Sequence, residues 1–200
     1  MRALRAYLST VCALLGVLSW TAPSSAQEVP GTVTVTIETT QGDITADIYL
    51  DRAPVTAENF LAYVDDRAYD GGTFYRSVRM DNQPNDSVRI EVIQAGPSRE
   101  AAGRRRPPIP LERTNVTGLA HVDGALSMAR GGPDSARSSF FICIGDQPSL
   151  DFGGNRNLDG QGFAVFGQVT SGMDVVRRIQ EGAVEAQTLV EPVVITAIRR

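Results

Sequence analysis

The sequence predicts a mainly β domain built from short antiparallel strands with two helices, and three observations lead there. Runs of alternating or fully apolar residues four to eight long recur along the chain, each bounded by Gly, Pro, Asn or Asp. Only two stretches carry helical periodicity, and no internal repeat of fixed period is visible. Near the middle, Ala125 to Ala129 and Phe140 to Ile144 flank a loop of small and polar residues in which Gly131, Gly132 and Pro133 forbid a helix. A closed barrel and a sandwich both satisfy this pattern.

Thr32 to Thr39 alternates β-branched residues, and after the turn Gln41-Gly42-Asp43 a second alternating run, Ile44 to Leu50, completes a hairpin. Pro54 then opens a helix whose apolar side is Phe60, Leu61, Tyr63 and Val64 and which ends near Arg67. Gly71-Gly72 turns the chain into the strand Thr73 to Arg76, which delivers an arginine among aromatics. Met80 to Ser87 reads as a loop excursion before a strand from Ile90 to Gln94, and Gly96 to Pro110 is loop-like. Beyond the central hairpin, the Gly-, Asn- and Asp-rich stretch from Asp146 to Gly162 leads into a strand at Phe163 to Val169. A helix follows from Met173 to Gln180, and the last strand runs from Val193 to Ile198 after Pro192. If the strand at Phe140 alternates faces, one of Phe140 and Phe141 points away from the core.

Residues 1–26 have the pattern of a secretory leader: Arg2 and Arg5, an apolar run from Ala6 to Trp20, and small residues at Ser24-Ser25-Ala26. The run is shorter than the roughly 20 residues a membrane span needs, so cleavage is expected to leave residues 27–200 as a single domain with no span. Without Arg2 and Arg5, 17 arginines stand against 23 acidic residues, a formal charge of −6. That balance argues against nucleic acid as a partner, and Arg104-Arg105-Arg106, beside two prolines, reads as a solvated loop. Cys143 is then alone and forms no internal disulfide; in an apolar strand it is a small core residue. Asn155 to Gly160 imitates the start of a calcium loop, but Phe166 stands where the closing acid is needed, so no metal is expected. His121 reads as ordinary strand or loop surface, with nothing to mark it as a base for Cys143.

Five segments, APVTAENF (Ala53 to Phe60), TFYR (Thr73 to Arg76), VIQAG (Val92 to Gly96), GALSMAR with SSFFI (Gly124 to Ile142) and FAVFGQV with GMDVV (Phe163 to Val176), occur in one order along the chain. In these the sequence resembles the cyclophilin family of peptidyl-prolyl cis/trans isomerases, in particular its exported bacterial members. The resemblance implies an eight-stranded antiparallel barrel capped by two α-helices and an enzyme that speeds X-Pro isomerisation without a cofactor. It also implies proline-containing polypeptides as substrates, a monomer, and a role in folding exported proteins, most simply in a bacterial periplasm. The alternative within the same groove is a proline-peptide-binding chaperone or assembly module with weak or no catalysis.

By the same resemblance Arg76 matches the catalytic arginine and Gln94 the glutamine that hydrogen-bonds the substrate backbone. Phe141 would floor the proline pocket, lined by Val92, Leu150 and Phe163, while Ala129 and the backbone of Arg130 would line the groove for the preceding residue. Without the resemblance, Phe141, Val92, Leu150 and Phe163 would read as plain core. Several positions depart from the family pattern. The stretch between Arg76 and Gln94 is longer than usual, which makes Met80 to Ser87 an insertion beside the site. Glu91 falls where an apolar aromatic commonly walls the pocket, Arg130 replaces an asparagine, and Ser149 stands where some members carry a tryptophan that supports cyclosporin binding.

Overall fold

The computed structural model describes residues 31–103 and 106–200. The leader pattern over residues 1–26 and the pair Arg104-Arg105 lie outside the described residues. Strands β1 (Thr32–Thr39) and β2 (Gly42–Tyr49) form the expected hairpin, and helix α1 (Pro54–Asp65) follows with proline in its first turn. Next come β3 (Gly72–Val78), β4 (Val92–Gly96), the single helical turns α2 (Arg99–Ala102) and α3 (Thr114–Thr117), and β5 (Ala125–Met128). The chain continues through β6 (Phe140–Cys143), a 3₁₀ turn at Pro148–Leu150 and β7 (Ala164–Ser171). It finishes with α4 (Met173–Gln180), the two-residue β8 (Val184–Glu185) and β9 (Thr188–Arg199).

The sheet order β1-β2-β7-β5-β6-β4-β3-β9 closes on itself through a β1–β9 pairing, with β8 appended to β9. Every pairing is antiparallel, so the barrel and not the sandwich is the outcome. Closure leaves none of the eight strands with an open edge along its whole length, which suits a chain that must expose no strand template. Ile37, Ile44, Ile48, Phe74, Ile93, Leu126, Phe140, Ile142 and Phe166 are fully buried in one core. Phe60 from α1 joins them, its ring centroid 5.4 Å from Phe140 and 5.1 Å from Phe166. From α4, Val175, Val176 and Ile179 pack onto the same core.

Three strand boundaries differ from the expectation for backbone reasons. β4 begins at Val92 rather than Ile90, because Gln83 takes over the hydrogen bonding of Ile90: its Nε2 donates to the Ile90 carbonyl and its Oε1 accepts the Ile90 N–H. β7 begins one residue after Phe163 and extends to Ser171. β9 starts upstream of Pro192, which lacks the N–H a ladder needs. It tolerates proline because its register against β3 jumps from Val193 to Thr188, so that residues 189–192 sit in an irregularity.

That irregularity matches a bulge on β3 itself. Phe74 faces Ala95 across β4 and Arg76 faces Gln94, which leaves Tyr75 as an extra residue. Phe74 and Ala95 belong to the interior core. Without the extra residue, Arg76 would share the face of Phe74 and put a charge inside the barrel. With it, Arg76 joins Gln94 and Phe141, which pair in turn across β4 and β6. On β6 the neighbouring aromatics divide as alternation requires: Phe140 enters the barrel core, and Phe141 packs in a second cluster on the other face.

Candidate functional site

The second cluster forms around Val78, Ile90, Val92, Phe141, Cys143, Leu150 and Val165, with Ala129 and Phe163 packed at its margin. Above it opens a cavity of about 250 Å³ lined by Arg76, Val92, Gln94, Ala129, Arg130, Phe141, Leu150 and Phe163, together with Ile90, Arg156 and Asn157. All eight residues singled out in the sequence therefore reach one concavity. Its floor is aromatic: Phe141 and Phe163 meet edge to face at 5.4 Å and 90°. A second groove of about 390 Å³ adjoins it and shares Gln94, Ala129 and Arg130.

Arg76 stands half-buried at the rim. Its Nη1 donates to Gln94 Oε1 at 2.9 Å, and its Nε and Nη2 donate to Gln187 Oε1 at 3.0 and 2.5 Å. Both acceptors are neutral amides, and among the described residues no carboxylate forms an ion pair with Arg76. Burial, and then the positive Arg156, pull this guanidinium below its ordinary pKa. An arginine stays protonated regardless, so the site carries a positive charge that no carboxylate contacts directly, Asp86 acting on it only at longer range, beside an apolar floor. Gln94 is held in turn by its Nε2, which donates to the Tyr75 hydroxyl at 2.7 Å.

Arg130 differs. Its guanidinium donates to both carboxylate oxygens of Asp159 at 2.8 and 2.9 Å and through Nε to the Gly162 carbonyl, and it lies 5.0 Å from the Phe163 ring centroid. The hydrogen bonds from Arg130 hold the Asp159 carboxyl down to about 2. Its side chain is thus a clamp on the loop before β7. The same pairing occupies Asp159 of the calcium-like stretch. Burial pushes the Cys143 thiol far up, which suits a small apolar residue and no nucleophile.

Two sequence expectations are corrected here. Glu91 does not wall the cavity; Ile90 and Val92 do, and the Glu91 carboxylate accepts a hydrogen bond from Gln180 on α4. His121 is not a surface residue but is 1% exposed. Its ring stacks on Phe141 at 6.0 Å and 12°, Nδ1 lies 2.7 Å from Asp151 Oδ1, and Nε2 lies 2.9 Å from the Ser127 hydroxyl. A neutral ring protonated at Nδ1 leaves Nε2 to accept from Ser127, whose one hydroxyl proton has a second acceptor in the Ala164 carbonyl. Protonating the ring would supply the missing donor, but burial outweighs Asp151 and lowers the His121 pKa. Sequence alone missed His121, Ile90, Arg156, Asn157 and Gln187. The contact of Gln187 with Arg76 spans 111 positions, and no local pattern announces it.

The family described as cyclophilin type peptidyl-prolyl cis-trans isomerase/CLD matches residues 34–200. The chain belongs to this family. A peptidyl-prolyl cis-trans isomerase of Acinetobacter baylyi is 36% identical over 146 residues, which cover 72% of this chain and 70% of that relative. Peptidyl-prolyl cis-trans isomerase B of Escherichia coli is 34% identical over 147 residues, with 73% and 83% covered, and isomerase A of Dickeya dadantii is 34% identical over 172 residues, with 86% and 83% covered. Among solved structures, a cyclophilin type isomerase of Cryptosporidium parvum, crystallised in the presence of the dipeptide Ala-Pro, superposes with a TM-score of 0.66. It is 20% identical, and the match covers 83% of this chain and 97% of that one; it shows the shared cyclophilin fold. The chain is thus an isomerase of this family, with its closed eight-stranded barrel.

The buried imidazole beneath Phe141 makes stability depend on pH. Its native pKa is depressed, so between that value and about 6.5 the unfolded chain binds more protons than the native one, and stability rises with pH. As the single histidine of the chain, it is also the side chain whose ordinary value lies in that window. Urea denaturation is expected to give a lower unfolding free energy at about pH 5.5 than at about pH 7.5. His121→Asn is expected to flatten that difference even though it lowers stability throughout; an unchanged pH slope in the variant contradicts the assignment.

Proposed function

We propose that Arg76 is the catalytic residue of this isomerase and that the cavity over Phe141 holds the proline ring. The observation that supports the reading is a guanidinium bonded to neutral amides, not to a carboxylate, at the rim of an aromatic-floored pocket. The X-Pro amide resists rotation by about 18–20 kcal/mol because its nitrogen lone pair is delocalised. Twisting the bond returns that lone pair to a pyramidal nitrogen, which then accepts a hydrogen bond that the planar amide cannot. A donor placed at that nitrogen therefore stabilises the twisted state selectively.

Arginine carries five N–H donors, of which Gln94 and Gln187 occupy three. Two are left for the substrate, one on each terminal nitrogen. Gln94 keeps a second Nε2 N–H for the backbone of the polypeptide, since its first goes to Tyr75. Val92, Leu150, Phe141 and Phe163 exclude water from the ring, which strengthens the guanidinium's field. Ala129 and Arg130 line the neighbouring groove, which we assign to the residue before proline. No step needs a nucleophile, metal or cofactor.

The biological setting we infer is export. The two leading arginines, apolar run and Ser24-Ser25-Ala26 of residues 1–26 support a cleaved leader, a mature domain of 27–200 and a periplasmic site of action on folding proteins. Among the described residues no helix is long and apolar enough to cross a membrane. N-terminal sequencing of protein expressed with its leader in a Gram-negative host and recovered from the periplasm is expected to start at Gln27; full-length protein retained in the cytoplasm contradicts export.

The catalytic assignment is tested by cis-to-trans conversion of an Ala-Pro peptide. Arg76→Ala, folded by circular dichroism, is expected to lose about 10²–10³ in kcat/KM, the scale seen when a charge-stabilising donor is removed. Arg76→Lys keeps the charge but not the fork and stays well below wild type. Activity of Arg76→Ala within about twofold of wild type, against that expected loss, overturns the assignment.

A further inference from the structure

We infer that Gln187, in the turn between β8 and β9, is a positioning residue for Arg76 and the link through which the Met80 to Ser87 insertion acts on it. The inference rests on Arg76 as the acting group. Its carboxamide oxygen takes both Nε and Nη2, so it fixes the side edge of the guanidinium plane. The same amide's Nε2 donates to the Asn82 carbonyl in the insertion at 3.3 Å. Gln187 is itself anchored on β3, where its carbonyl accepts the Ser77 N–H at 2.9 Å, one residue past Arg76.

The turn is built to hold that side chain. Glu185 pairs with Thr188, leaving Ala186 and Gln187 as its two central residues. Ala186 has φ of 57°, a left-handed conformation that alanine disfavours. The insertion is held at the other side as well. Asn82 Oδ1 accepts the Arg79 N–H and its Nδ2 donates to the Ser77 carbonyl. Arg156, from the cavity wall, donates to the Val88 carbonyl at 2.7 Å and pairs with Asp86 at 3.0 Å. The insertion thus braces both the arginine's holder and the pocket wall.

An amide is suited to this task because it orients the guanidinium without cancelling its charge. Gln94 alone, bonded to one terminal nitrogen, would leave the plane free to swing about that contact. A displacement of about 1 Å at a reacting centre is enough to cost up to about a hundredfold in rate.

The test compares Gln187→Ala and Gln187→Met, the second preserving side-chain length while removing the amide. Each is measured for kcat and KM on an Ala-Pro peptide and for peptide dissociation constant, alone and with Arg76→Ala, and the single variants also for the Arg76 Nε–Hε resonance by NMR. Both are expected to lower kcat/KM about tenfold through kcat, with the dissociation constant within about twofold. The Nε–Hε resonance should shift and exchange faster with solvent. In the Arg76→Ala background the same changes should add nothing. A kcat within about twofold of wild type in both single variants overturns the inference, as does an equal loss with and without Arg76. Full activity in Arg76→Ala alone would instead sink the reading of Arg76, and the positioning role with it.

Discussion

In the proposed mechanism a guanidinium must sit against an apolar floor, stay charged and pair with no carboxylate, and much of this barrel fits that requirement. A carboxylate would hold Arg76 more strongly, as Asp159 holds Arg130, but would cancel the field on which the proposed mechanism relies. Two neutral amides give orientation at the cost of a weaker hold. Gln94 is in turn held by Tyr75, and Gln187 by the backbone of Ser77. The bulge at Tyr75 is the backbone device that makes this possible, because it turns Arg76 out of the barrel interior and opposite Gln94.

The pocket follows from that same strand geometry. Rows of paired residues cross β3, β4 and β6, so Arg76, Gln94 and Phe141 stand side by side on one face, with Val78, Val92 and Cys143 in the next row. Interior neighbours on the same strands, Phe74, Ile93 and Ile142, belong to the main core and fix the strands' positions. His121 supports Phe141 from within the second cluster while bonded to Asp151 and Ser127, so the floor rests on a buried polar group as well as on packing. The insertion after β3 does not hang free beside the site. Gln83, 1% exposed, bonds the backbone at both its ends, to Arg79 and Ile90.

Most of the fold was legible in the sequence because hydrophobic alternation and turn residues mark short strands directly. The hairpin of β1 and β2, the helix α4 and the opposite facing of Phe140 and Phe141 all follow from local pattern. Closure of the barrel does not, since it is decided by the distant pairing of β1 with β9. The strand through Pro192 was hidden because proline normally ends a ladder, and only the bulged register excuses it. Within the site, the eight residues assigned to the pocket and groove all reach the same cavity, and Glu91 does not. What escaped is the support: His121 has no neighbour in sequence that betrays its burial, the wall falls to Ile90 and not Glu91 because Gln83 reshapes the insertion, and Gln187 meets Arg76 only through tertiary folding.

In the proposed mechanism a positive charge, held in place and unpaired with any carboxylate, does the work. Gln187→Glu, read beside Gln187→Met, tests it: a carboxylate oxygen can accept the same Nε and Nη2 hydrogen bonds while adding a negative charge, both variants lose the Nε2 donor to Asn82, and the residue lines no part of the cavity over Phe141. At neutral pH kcat for an Ala-Pro peptide is expected to fall well below that of Gln187→Met, which loses the same Nε2 donor to Asn82 without adding charge, while peptide affinity changes little. A kcat no lower than that of Gln187→Met would mean that geometry alone suffices and that the charge of Arg76 is not what lowers the barrier.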